Sequence, residues 1–264
     1  MKLDFTGKRA VVSGSTSGIG FAIAQQLCLS GAAVTITGRV QEHVDHAVES
    51  IHKAGCDLSI QGVMADLGTA VGAATLIERV PEADILINNL GIFEWREFFQ
   101  TSDEDWERMF QVNVMSGVRL SRHYAQGMMK RGWGRVQFVS SEAAVQTPPE
   151  MVHYGVSKTA QLGLSRGLAE SLAGTGVTVN AILPGPTRTT GADEFFERLG
   201  REQGISAALA ESEFVVRNRP SSLIRRMATA EEVAYMSVFL ASEQASVTTG
   251  DAIRVDGGIV RSIL

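Results

Sequence analysis

The chain predicts an α/β fold, a doubly wound parallel sheet with helices on both faces, and three observations carry that prediction. Short apolar runs alternate with segments of helical period along all 264 residues. The first run leads through a glycine turn into a segment of helical period, the strand, turn and helix of a βα unit. No repeat, low-complexity tract or proline-rich linker divides the chain, so one domain over residues 1–264 is expected.

The first run, RAVVS, is a strand, and Gly14, Gly18 and Gly20 follow it in a turn. Ile19, Ala22, Ile23 and Leu27 then recur at helical spacing. A strand, a glycine turn and a helix form the context that cradles a dinucleotide pyrophosphate at a helix N-terminus. The spacing here is G-x-x-x-G-x-G, and Ser15, Thr16 and Ser17 complete the turn with Ile19. AVTIT, LSIQGV, DILINN, RVQFVSS, VTVNAIL and AIRVDGG give six further strands. In the segment opening TSDEDWERMF, Ser102 and Asp105 stand in capping-box positions ahead of Trp106, Met109, Phe110, Asn113 and Val114. Ligands of such sheets bind beyond the carboxyl ends of the strands, where Asp66, Asn88, Ser141 and Pro184 fall.

The chemistry concentrates in YGVSK, where Tyr154 and Lys158 are four residues apart and so adjacent on a helix. An ammonium beside a phenol stabilises the phenolate, which makes Tyr154 a candidate proton donor and acceptor. Ser141 ends the preceding strand-like run, thirteen residues before the tyrosine. A nucleophilic role for Ser141 is disfavoured, because the serine lies outside G-x-S-x-G and no ordered acid and histidine partners accompany it. The five histidines are scattered, and His43 and His46 sit on a polar helical face, so no metal site is expected.

These motifs together resemble the classical short-chain dehydrogenase/reductase family over nearly the whole length. Besides SGSTSGIG and YGVSK, the resemblance rests on Asp66-Leu67, on Asn88-Asn89-Leu90-Gly91, on Asn113 in QVNV, on Pro184-Gly185 in NAILPGPTRT and on VDGG. Ser13 stands where threonine is common, and Leu90 where alanine is common, the latter reshaping the wall near a nicotinamide. The resemblance implies a single Rossmann-type sheet and an oxidoreductase that interconverts a carbonyl and a secondary alcohol. It implies Tyr154 as general acid and base and Lys158 as the group that lowers its pKa and holds the nicotinamide ribose. Ser141 is then the hydrogen-bonding partner of the substrate oxygen, and Asn113 the residue that positions a relay water. Gly14, Ser15, Thr16, Ser17, Gly18, Ile19, Gly20, Arg39, Asp66, Leu67, Asn89, Gly91, Tyr154, Lys158, Pro184, Gly185, Thr187 and Thr189 are implied as the cofactor-binding set.

Cofactor choice follows from Thr37-Gly38-Arg39, where no acid is present to repel a 2′-phosphate and Arg39 offers it a partner. NADP(H) is therefore expected, with NAD(H) accepted as the alternative. A net charge of −5 excludes a nucleic-acid footprint, and the apolar runs fall short of a membrane span. The start lacks the apolar core of a secretory signal, so a cytoplasmic enzyme is expected. Cys28 and Cys56 read as reduced structural thiols, with a disulfide as the alternative. By resemblance a homo-oligomer is expected, a tetramer or dimer built on the helices of Asn113 and Tyr154, whose outer faces carry Met115, Val118, Leu162 and Leu164.

Phe93, Glu94, Trp95, Glu142, Met151 and His153 are the expected substrate-pocket lining. The segment at about 186–227 reads as two short helices forming a lid. Its arginines Arg217, Arg219, Arg225 and Arg226 either pair with Glu211 and Glu213 or attract an anionic substrate. Two other functions fit the same motifs, a redox-neutral lyase or isomerase and a catalytically silent nucleotide sensor.

Overall fold

Apolar runs become strands here because alternate residues of each feed two different cores. The computed structural model describes residues 3–56 and 60–263. Its seven strands are β1 (Arg9–Val12), β2 (Ala33–Gly38), β3 (Ile60–Met64), β4 (Ile85–Asn88), β5 (Gly134–Val139), β6 (Val177–Pro184) and β7 (Ala252–Val255). They form one parallel sheet in the order β3-β2-β1-β4-β5-β6-β7. Each of the seven expected strands is present, although Leu58 and Ser59 of LSIQGV lie outside the described residues.

Ala10 and Val12 of β1, with Ile85 and Ile87 of β4, face a core shared with α1 (Gly18–Leu29), α2 (Gln41–Lys53) and, later in the chain, α9 (Ala230–Ala241). Val11 and Leu86 face the opposite core, with α3 (Ala70–Arg79) and α5 (Ser116–Arg131). Val11 and Leu86 are fully buried, each contributing ~1.5–3 kcal/mol by leaving water. The strand order reverses between β1 and β4, and the crevice at their carboxyl ends is where such sheets take ligands.

The other helices are α4 (Asp103–Phe110), α6 (Val152–Ser171), α7 (Thr190–Gln203) and α8 (Ala207–Asn218). The expected Ser102 and Asp105 capping box opens α4. A five-residue π-helical turn, Gln111–Met115, joins α4 to α5 without a break. Leu162 and Leu164 on α6 are half-buried against the second core. Among the described residues no helix is long and apolar enough to cross a membrane.

The cysteines correct one expectation. Cys28 in the last turn of α1 and Cys56 just past α2 are joined as a disulfide, with Cα atoms 5.9 Å apart. Both are buried in the core beneath α1 and α2. These helices flank β2, and the end of one meets the exit of the other across 28 residues of sequence.

Candidate functional site

At the carboxyl end of β1 the backbone must reverse into α1, and Gly14 and Gly18 do so at φ 61° and 57°. Ser15 is buried and serves the turn, its hydroxyl donating to Val12 O at 2.6 Å and accepting from Thr37 N at 3.0 Å. Ser17 precedes α1 as its N-cap without spending its side chain on the helix, and the first turn of α1 carries no acid. The opening N–H groups of α1 and their partial positive charge are thus available to an anion. Ile19 packs back into the core against α9.

A second turn, after β4, locks onto the first. Ser13 Oγ accepts from the backbone N–H groups of Asn89 and Leu90, both at 2.9 Å. Asn89 Nδ2 donates to Ser13 O at 3.0 Å and Gly14 O at 2.8 Å. Leu90 lies against Gly14, which leaves its bulk at the glycine turn. A Cβ at Gly20 would lie 2.4 Å from Asn89 Nδ2 and 2.5 Å from Gly14 O, both part of this lock. Gly20→Ala is therefore expected to lose ~1–3 kcal/mol of stability and to abolish dinucleotide binding. Melting and cofactor titration check this, and a variant unchanged in both would contradict it.

The remaining strand ends complete the rim. Arg39 is exposed at the end of β2 with no ion pair among the described residues. Asp66, exposed beyond β3, accepts from Gly68 N at 3.1 Å, while Leu67 beside it is buried. Pro184 ends β6, and Gly185 beyond it leads to Thr187, whose hydroxyl donates to Gly185 O at 2.9 Å. Thr189 caps α7, and its methyl approaches Gly18 of the glycine turn.

Ser141, Tyr154 and Lys158 meet where β5 faces α6. Lys158 Nζ is buried, donates to Val139 O at 2.9 Å and lies 5.7 Å from the centre of the Tyr154 ring. Burial pushes this ammonium down to about 7. Burial pushes the Tyr154 phenol up to about 12, opposed by the nearby Ser141 hydroxyl, so the phenol depressed below its ordinary value that the motif predicts is not seen in this chain. Gly91 faces both the Lys158 ammonium and Asn113 Oδ1.

Asn113 sits in the π turn with its side chain fully committed. Its Oδ1 accepts from Ile92 N at 2.8 Å, and its Nδ2 donates to Ile92 O at 3.0 Å and Ser157 Oγ at 2.9 Å. Its main-chain carbonyl accepts from Gln161 Nε2 at 2.5 Å. Its side chain clamps the segment that leads from Gly91 into the pocket wall.

The pocket lining divides. Phe93 meets the Tyr154 ring edge-on at 6.3 Å, and Trp95 meets Phe214 of α8 at 6.1 Å. Phe214 in turn contacts Phe195 and Phe196, tying α7 and α8 into a separate small core. Met151 is buried. Glu94 turns away to pair with Arg96 at 2.5 Å, and His153 is buried against Trp106.

Glu142, buried next to the serine, accepts from Ser141 Oγ at 2.7 Å and from Arg219 Nε at 2.9 Å. Arg219 is thus the arginine of its cluster that reaches the site. Arg217 pairs with Glu213 at 2.9 Å, Arg226 pairs with Glu232 at 2.7 Å, and Glu211 is taken by Arg188. The Glu142–Arg219 contact spans 77 residues, and nothing local in either segment signals it.

Known proteins match this arrangement from end to end. A family model described as Enoyl-(Acyl carrier protein) reductase matches residues 14–260. The uncharacterized oxidoreductase YvaG of Bacillus subtilis (strain 168) is 46% identical over 263 residues, covering 100% of both chains. Dehydrogenase/reductase SDR family member 4 of Bos taurus is 36% identical over 95% of this chain and 86% of that protein. Among solved structures, L-sorbose reductase from Gluconobacter frateurii, complexed with NADPH and L-sorbose, superposes with a TM-score of 0.95. It is 31% identical, and the match covers 100% of both chains. With the sheet order, the glycine turn and the serine, tyrosine and lysine placed as the motifs require, the chain belongs to the classical short-chain dehydrogenase/reductase family and is an oxidoreductase.

Proposed function

We propose that this protein is an NADP(H)-dependent oxidoreductase that interconverts a carbonyl and a secondary alcohol, with Tyr154 as the general acid and base. The observation that carries the reading is the convergence of Ser141, Tyr154 and Lys158 beside a glycine turn built to receive an anion. The residues present fit a nicotinamide dinucleotide. The open N-terminus of α1 takes the pyrophosphate, and Lys158 has donor capacity beyond Val139 for a ribose hydroxyl. When bound, the cofactor supplies or accepts the hydride.

The chain's own residues handle the proton and the geometry. In carbonyl reduction the Tyr154 hydroxyl gives its proton to the substrate oxygen, and in alcohol oxidation it takes one back. Lys158, 5.7 Å from the centre of the Tyr154 ring, would favour the phenolate left behind when it is itself protonated. Asn113 holds the Ile92 backbone and so the wall beside Lys158. We read α7 and α8 as a lid over the substrate, joined to the pocket rim where Trp95 meets Phe214. We take the protein to be a tetramer or dimer by family resemblance and, for want of a secretory h-region in its first residues, assign it to the cytoplasm.

NADPH over NADH follows from the end of β2. A side chain at position 38 would meet Thr16 Cγ2 at 2.5 Å, so the place of an acidic discriminator is closed, and the neighbouring Arg39 is exposed with no ion pair among the described residues. A charge-assisted contact of ~1.5–3 kcal/mol predicts a preference of about tenfold or more for NADPH. Fluorescence titration of both reduced cofactors checks it. Arg39→Ala is expected to erase the preference, and an unchanged NADPH affinity in that variant would refute the assignment. Loss of nicotinamide absorbance during turnover separates net oxidoreduction from the redox-neutral alternative.

A further inference from the structure

The buried ion pair beside the catalytic serine has no part in the chemistry assigned above. Glu142 and Arg219 side chains are 5% and 12% exposed, and their contact joins the loop after β5 to the end of α8. Burying two charges costs several kcal/mol each before their attraction is counted, so such a pair seldom adds stability over apolar residues of similar volume. The pair reaches the site through Ser141, whose hydroxyl donates to Glu142 while Arg219 holds the other carboxylate oxygen.

Hydrogen counting shows what the pair favours. A serine hydroxyl has one proton, and Ser141 gives its own to Glu142 Oε2 at 2.7 Å. A simple ketone brings only an acceptor to this place. To be held by Ser141 it must draw the serine proton away from Glu142, leaving a buried carboxylate oxygen short of a donor. A substrate with a hydroxyl on the carbon next to the carbonyl brings the missing proton. That hydroxyl donates to Glu142, the Ser141 proton turns to the carbonyl oxygen, and every buried group keeps a partner. A carboxylate on the neighbouring carbon would instead face Glu142 with like charge, and Arg219 is already neutralised.

We propose that Glu142, held by Arg219, selects neutral α-hydroxy carbonyl substrates and the corresponding vicinal diols, and rejects 2-oxo acids. This rests on the carbonyl and alcohol chemistry proposed above and adds the substrate class. It also replaces the expectation that the arginines near α8 recruit an anion. Phe93 against the Tyr154 ring offers an apolar surface on this side of the site, which suits a substrate whose far end is apolar.

The test uses three ketones that share an aryl group and differ at one position, namely 2-hydroxyacetophenone, propiophenone and benzoylformate. With NADPH, kcat/KM for the hydroxyketone is expected to exceed that for propiophenone by about tenfold or more, the worth of one hydrogen bond to a charged group. Benzoylformate is expected to be the poorest of the three. In Glu142→Leu the hydroxyketone preference is expected to vanish. Because that variant strands Arg219, the double variant Glu142→Leu with Arg219→Leu, which removes both charges together, is measured beside it. Equal use of hydroxyketone and propiophenone by the native enzyme overturns the proposal, as does a preference that survives both variants. If none of the three ketones consumes reduced cofactor, the redox reading fails on its own account. Calorimetric binding to the cofactor-loaded protein then decides recognition. Tighter binding of the hydroxyketone, lost in the double variant, supports it, and equal binding of hydroxyketone and propiophenone overturns it.

Discussion

Tyr154→Phe is expected to lower turnover by ~10²–10⁴-fold, the usual worth of a positioned general acid, while cofactor affinity stays as it was. The substitution removes only the hydroxyl. The ring keeps its edge contact with Phe93 and its place 5.7 Å from Lys158 Nζ, so the pocket wall is preserved. Steady-state turnover and fluorescence titration of NADPH on the same preparation make the comparison. Near-native turnover in the folded variant would remove Tyr154 from the mechanism.

Lys158→Met is expected to do broader damage. The ammonium serves the phenol and the ribose at once, so both turnover and cofactor affinity should fall, each by about tenfold or more. The lysine also carries a signature in stability. Its folded pKa, about 7, lies below the ~10.4 of an unfolded lysine. Between those values the unfolded chain binds a proton that the folded chain does not, and stability therefore rises with pH across that window. Tyr154, pushed up to about 12, opposes this trend only above the ordinary phenol value of ~10. Denaturant unfolding of the cofactor-free protein from about pH 7 to about pH 9 should show the rise. It should be smaller in Lys158→Met, and identical slopes for the two proteins would contradict the buried ammonium.

The strands were readable because a parallel sheet buries both faces, and β1, β4 and β6 are accordingly dominated by apolar residues. The glycine turn and YGVSK were readable for a related reason, since each compresses its geometry into a few consecutive residues. The Ser102 and Asp105 capping box is local too, and it formed as expected. What escaped was long-range. Glu142 meets Arg219 across 77 residues, and Cys28 meets Cys56 because two helices flank one strand. Asn113 was singled out by its motif, but its double grip on the Ile92 backbone depends on where β4 hands the chain over. The capping box that Thr229 and Glu232 make for α9 is by contrast local, a pattern that sequence reading passed over.

The π turn at Gln111–Met115 makes this stretch of chain fixed in length. Dropping a single residue would restore an ordinary ladder and swing α5 by about 100° relative to α4. Leu120, Tyr124 and Met128, spaced to reach the sheet from α5, would then point elsewhere, and Asn113 would leave Ser157. Surface connections in a lineage can grow or shrink by whole residues at small cost. Here a gain or loss of one would be felt in the core and in the site together, so the stretch from Ser102 to Arg131 behaves as one unit of fixed length.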